Sequence, residues 1–226
     1  MRVSHKELKR KINQQMLKIT DQELFSSRAF AGFLTDMAEA TTKRYKRKIK
    51  VFMFYDEKED AKVAYTDNEK IFINAGNKIT RSFPTKALRA DSLIGMNAHE
   101  IGHILFTDFP MMAHYCQEMK EGRIYPTVPS FADWKMEEKA QEVQDFLKNA
   151  DDLTRQSMTT ISQFLFNVLE DGYIEARMCD AFPGKYATGI RLNNIRISEM
   201  TPSISEQLKE GTYRFSVLLN LLIQYH

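Results

Sequence analysis

The segment that most restricts this chain is His99-Glu100-Ile101-Gly102-His103, set among Ile94, Met96, Ala98, Ile101, Ile104, Leu105 and Phe106. Helical spacing runs from Thr85 to Thr107, and these flanks make the helix apolar nearly all round, so the spacing predicts a buried helix. A buried glutamate and two buried histidines need partners, because an uncompensated charge in an apolar interior is very costly. Spacing of i, i+4 puts His99 and His103 on one face, about 6 Å apart along the axis, where both imidazoles can meet one metal ion. Zinc, held about 2.0–2.1 Å from each nitrogen, is the expected occupant. Glu100 stands one residue round from the first histidine, the general-base position of an H-E-x-x-H site. Gly102 lacks a side chain and leaves room for a neighbouring element or a third ligand.

A hydrolytic zinc site needs a third protein ligand and an open position for water. Leu105 to Pro110 holds no histidine, so that ligand comes from elsewhere. His114 is one candidate. The better one is the acid cluster in Phe166-Asn167-Val168-Leu169-Glu170-Asp171-Gly172-Tyr173-Ile174-Glu175, within a helical segment rich in apolar residues. Glu170 is the expected third ligand, with Asn167 on its face and Asp171 placed to accept the free N–H of a ligand histidine. Glu175 reads as a partner for Arg177 or Arg191. Tyr173, His114, Tyr186 and Arg191 are the candidate donors to an oxyanion.

Around this segment the chain reads as α+β. Ser4 to Thr42 has helical spacing, with Leu8, Ile12, Met16 and Ile19 on one stripe. Val51–Tyr55, Val63–Thr66 and Lys70–Asn74 read as short strands of a small, mostly antiparallel sheet packed on the helix that carries the histidines. Asp108 to Ser130, with Pro110, Gly122, Pro126 and Pro129, reads as a long irregular connection. Helices are expected over Asp133–Asn149 and Leu153–Asp180, then a weaker segment Tyr186–Met200, then a last helix from Ser203 to Tyr225 that breaks near Gly211. The expected organisation is an N-terminal helical segment 1–48, the sheet with the H-E-x-x-H helix at 49–110, and a loop and helical part 111–226 that carries the third ligand. The apolar pattern Phe215, Leu218, Leu219, Leu222 runs almost to the last residue without a stop signal, as expected of a fragment of a longer protein.

Composition narrows the partners. With 32 basic and 30 acidic residues the net charge is +2, so no global field points to a polyanion. The run Lys43–Lys50 holds six basic residues in eight but only Tyr45 as an aromatic, so no nucleic-acid partner is expected. No apolar run reaches about 18 residues, so no membrane span is expected. Two cysteines and no signal-peptide pattern point to the cytoplasm.

His99-Glu100-x-x-His103 with a distant helical glutamate resembles the gluzincin branch of zinc metallopeptidases. More narrowly, Asn97 to Asp108 together with Asn167 to Glu175 resembles the metallopeptidase-like region that precedes von Willebrand factor A domains in bacterial and phage proteins of the cobaltochelatase-subunit (CobT) and nitric-oxide-reductase-activation (NorD) types. The resemblance covers mainly residues 60–180. It implies a zincin-like fold and an endopeptidase that uses zinc, with His99, His103 and Glu170 as ligands and Glu100 as general base. An extended protein or peptide substrate would lie on a sheet edge supplied by Lys70–Asn74 and Val63–Thr66. A C-terminal von Willebrand A domain or an AAA+ ATPase is the implied partner, although the D-x-S-x-S metal motif of the former is absent from this chain. The alternative is a regulatory or protein-binding module that keeps the zinc only as a staple.

Overall fold

The computed structural model describes residues 4–43, 48–124 and 130–224, with the backbone alone at 13 and 15–17. The chain begins with α1 (His5–Lys18), α2 (Asp21–Phe25) and α3 (Arg28–Thr42), where the periodicity predicts one helix. The interruptions fall at Thr20 and Ser27, whose extended backbones cap the next helix. Thr20 forms a capping box with Glu23, and Ser27 Oγ accepts from the Phe30 N–H. Capping hydroxyls offer the backbone an alternative to helix continuation. Leu8, Ile12 and Ile19 of the expected stripe are exposed. Arg44 to Arg47, half of the basic run, lies outside the described residues.

Three strands follow: β1 (Lys50–Phe54), β2 (Ala64–Thr66) and β3 (Lys70–Asn74). Their order is β1-β3-β2, with β1 and β3 parallel and β2 and β3 antiparallel. The class is α+β, but the sheet is mixed rather than mostly antiparallel, and Lys70–Asn74 is its central strand, paired on both sides. One side chain explains the crossover. The fully buried Asn74 amide accepts from the N–H groups of Asp56 and Gly76, both at 2.9 Å, and donates to the carbonyls of Asp56 (2.8 Å) and Lys62 (3.2 Å). Three of these four bonds pin both ends of the connection that carries the chain past β3 to the far edge, and the fourth holds the turn after β3.

Val51, Ile71 and Ile73 point from the sheet into a core shared with Leu34 and Ala38 of α3. The centre of that core is α5 (Lys86–Phe106), which contributes Leu93, Ile94, Met96, Ala98, Ile101 and Ile104, and which α4 (Lys78–Arg81) precedes. Both β2 and β3 pack on α5. The segment expected to be irregular after Asp108 is instead largely α6 (Phe109–Lys120). Asp108 caps it by accepting from the Met111 N–H at 3.0 Å, and Pro110 sits in the first turn, where its missing N–H has no helical partner to lose. Then come α7 (Trp134–Asn149), α8 (Asp152–Ala181), α9 (Lys185–Met200), α10 (Ile204–Lys209) and α11 (Arg214–Gln224). Gly172 does not interrupt α8, whereas Gly211, at φ +78°, separates α10 from α11.

The chain divides into two compact units, residues 1–106 with 174–226 and residues 107–173, so the division falls at the end of α5 and inside α8. In the second unit Met119, Ile124 and Leu147 form a small core. Arg123 grips the Glu118 carboxylate with Nε (2.6 Å) and Nη2 (3.0 Å), which lowers the pKa of the acid and raises that of the guanidinium. Among the described residues no helix is long and apolar enough to cross a membrane.

In the first unit, α5 and α9 cross at glycine. A Cβ placed on Gly95 would stand 2.3 Å from the backbone of Gly189, and one placed on Gly189 would stand 2.6 Å from the Gly95 nitrogen. Beside the crossing, Asn193 Nδ2 donates to the Ser92 carbonyl at 2.9 Å. Because backbone rather than a flexible side chain fills the space, Gly189→Ala is expected to destabilise the fold by at least about 2 kcal/mol, read by chemical denaturation.

Candidate metal centre

The candidate metal ligands of the first unit start from α5. Thr85 Oγ1 accepts from the Leu88 N–H and anchors its first turn. Four turns later His99 and His103 share a face, with ring planes 81° apart and Nε2 atoms 3.2 Å apart. Two nitrogens about 2.0–2.1 Å from a tetrahedral ion stand about 3.3 Å from each other, so these rings already have the separation of two ligands on one zinc.

The other ring nitrogen of His99 is engaged. Its Nδ1–H donates to Glu175 Oε1 at 2.8 Å, and Glu175 Oε2 accepts from Asn194 Nδ2 of α9 at 2.6 Å. With the proton assigned to Nδ1, the Nε2 lone pair is left for a cation, the usual arrangement around a metal-bound imidazole. The expected pairing of Glu175 with Arg177 or Arg191 is therefore corrected. Arg177 lies over the Phe106 ring at 5.1 Å, and Arg191 stands beside the Cys179 thiol, whose pKa is raised chiefly by burial.

Gly102 is the reason α8 comes so close. A Cβ there would meet Met178 Cγ at 3.1 Å and Ile174 Cβ at 3.3 Å, so the missing side chain seats those two residues against the turn between the histidines. Seating Ile174 and Met178 fixes the rotation of α8 and turns Glu175 toward His99. Asp171 stands one turn earlier on the same unbroken helix. Together with His99 and His103 it makes the one group of potential metal ligands among the described residues. Glu170, the expected third ligand, is outside that group, and Asp171, expected only to support a histidine, is in it. Asn167 is exposed, as is Tyr173. The phenol of Tyr186 is buried and bonded to Thr41 at 3.0 Å, which removes it as an oxyanion donor.

Glu100 is 5% exposed, while His99, His103 and Asp171 are each half-buried. The three candidate ligands thus keep contact with solvent, and the carboxylate beside the first of them is withdrawn from it. No zinc-closing fourth side chain accompanies them among the described residues. The donor set of two imidazoles and a carboxylate suits zinc.

No protein-family model, curated protein or solved structure matches this chain.

The Glu175 carboxylate and the Asn194 amide are both one step removed from the ligand atoms, so their loss should weaken the site without abolishing it. Glu175→Gln and Asn194→Ala are expected to lower zinc affinity about 10- to 100-fold, measured by competition with a chromogenic chelator. Asp171→Ala should remove tight binding and Glu170→Ala should leave it unchanged; the reverse order would return the third-ligand role to Glu170.

Proposed function

We propose that the chain is a zinc-dependent peptide hydrolase with a zincin-like arrangement of an H-E-x-x-H helix against a small sheet. The observation that carries this reading is the convergence of the His99 and His103 Nε2 atoms at 3.2 Å while Glu175 holds the far nitrogen of His99. His99, His103 and Asp171 would hold the ion. When bound, zinc supplies Lewis acidity, lowering the pKa of water toward neutrality and polarising a carbonyl oxygen.

The chain's own residues do the rest. Glu100, next to the first ligand and almost wholly buried, takes the proton of the attacking water and passes it to the leaving amine, as the general base of a hydrolysis must. Glu175 and Asn194 keep the His99 ring from turning. β3 is interior to the sheet, so an extended substrate has β2, the edge strand beside α5, to pair with. The implied partners remain a von Willebrand A domain or an AAA+ ATPase.

A second reading, a zinc-stapled binding module, would need a closed site, and the grouping of only three half-buried candidate ligands among the described residues argues for an open one. The two separate cleanly in one experiment. Glu100→Gln is expected to retain one zinc per chain by metal analysis and to lose at least about 100-fold in cleavage of a proteome-derived peptide library. Identical cleavage profiles for Glu100→Gln and the unchanged chain, with zinc present in both, would leave the stapled module as the correct reading.

A further inference from the structure

The solvent face of the sheet carries groups that the metal centre does not use. Strand alternation sends Val51, Ile71 and Ile73 inward, and Lys50, Phe52, Lys70 and Phe72 to the opposite side. Register then aligns them into two rows. The first is aromatic: Phe52 is opposite Phe72, and Phe72 is opposite Tyr65. The ring centroids are 5.4 and 4.8 Å apart and the planes within 19° and 13° of parallel. Phe52 and Tyr65 remain 44% and 38% exposed. The second row, two residues back along the strands, is cationic, with Lys50 opposite Lys70.

Those two lysines, with Lys48, Ile49, Asn68 and Glu69, line a cavity of about 580 Å³ at the end of the sheet. Lys62 Nζ stands 4.7 Å over the Tyr65 ring. Of the neighbouring acids, Asp67 is tied into the hairpin turn, accepting from the N–H groups of Glu69 (2.9 Å) and Lys70 (2.6 Å), which lowers its pKa; Glu69 is the one acid lining the cavity. Like charges directly opposite on paired strands are destabilising, and exposed rings forgo burial. The lysine row costs the fold, and the ring row, although its stacking supports the strand pairing, leaves Phe52 and Tyr65 exposed.

We propose that this face binds single-stranded nucleic acid, with the lysine row and the cavity taking phosphates and Phe52, the exposed end of the ring row, taking a base. Rings beside cations on an open surface are the combination by which bases stack and the backbone is neutralised. An acidic peptide would match the lysines and leave the rings unmatched. The sequence hides the arrangement, because the run Lys43–Lys50 has only Tyr45 within it, and pairing of three strands is what brings the other aromatics alongside. The site does not involve the metal centre.

Fluorescence anisotropy of labelled 15-mers of oligo(dT) and oligo(U) with the full chain tests it. Binding is expected at 50 mM salt and should weaken as salt rises. Lys50→Glu/Lys70→Glu and Phe52→Leu should each raise Kd about tenfold, at a temperature where circular dichroism shows each variant folded. An oligoglutamate of equal length should compete at least tenfold less well than unlabelled oligonucleotide. Absence of binding to both oligonucleotides, equal competition by oligoglutamate, or an unchanged Kd in either variant would overturn the proposal.

Discussion

The close crossing of α5 and α9 at Gly95 and Gly189 is the contact on which the rest of the first unit depends. It lets two helix backbones approach to a distance that no side chain would permit. His99 lies one turn beyond Gly95, and Asn194 lies just over one turn beyond Gly189. The crossing therefore sets how far apart those two side chains are, and Glu175 fits between them with one oxygen for each. Gly102 repeats the device about two turns further along α5, this time admitting Ile174 and Met178. Two glycines on one helix thus hold α9 and α8 at the separations the polar groups require, and both are tolerated in a helix interior because packing outweighs their poor helix propensity.

The buried polar groups follow a consistent pattern. Asn77, Thr80 and Ser92 bond to one another and to backbone near the start of α5, and Asn97 donates to the Leu34 carbonyl of α3 at 3.2 Å. These bonds are directional where apolar contacts are not, so they fix the rotation of α5 against its neighbours. A two-residue error in that rotation would turn His99 and His103 away from α8. The apolar core supplies cohesion, and the embedded amides and hydroxyls supply the angular setting.

Much of this was legible in the sequence. The histidines, Glu100 and the role of Gly102 follow from i, i+4 spacing on a helix apolar on every side. Three strand positions and the break at Gly211 follow from local alternation and turn chemistry. What local pattern could not carry was pairing. β3, placed at a sheet edge by the resemblance, is central, and Asn74 fastens a crossover that no periodicity reveals. Pro110 reads as a breaker and acts as a helix starter because Asp108 precedes it. Which of Glu170 and Asp171 groups with the histidines depends on the rotation of α8, and no local pattern shows that Ile174 and Met178 meet Gly102. One signal was available: Asp171 and Glu175 repeat the four-residue spacing of His99 and His103, so two pairs of equal pitch can face each other across two helices.

The Asn74 amide also bears on the order in which the sheet assembles. β2 and β3 are joined by Asp67, Asn68 and Glu69, with Asn68 at φ +71° and the Thr66 hydroxyl donating to the Lys70 carbonyl, so this hairpin closes a very short loop. The β1–β3 pairing closes a loop several times longer. Short loops close sooner than long ones. The Asn74 side chain, already carried by the hairpin, is then the first group able to capture the returning Asp56 backbone, which makes it a kinetic latch for β1 as well as its anchor.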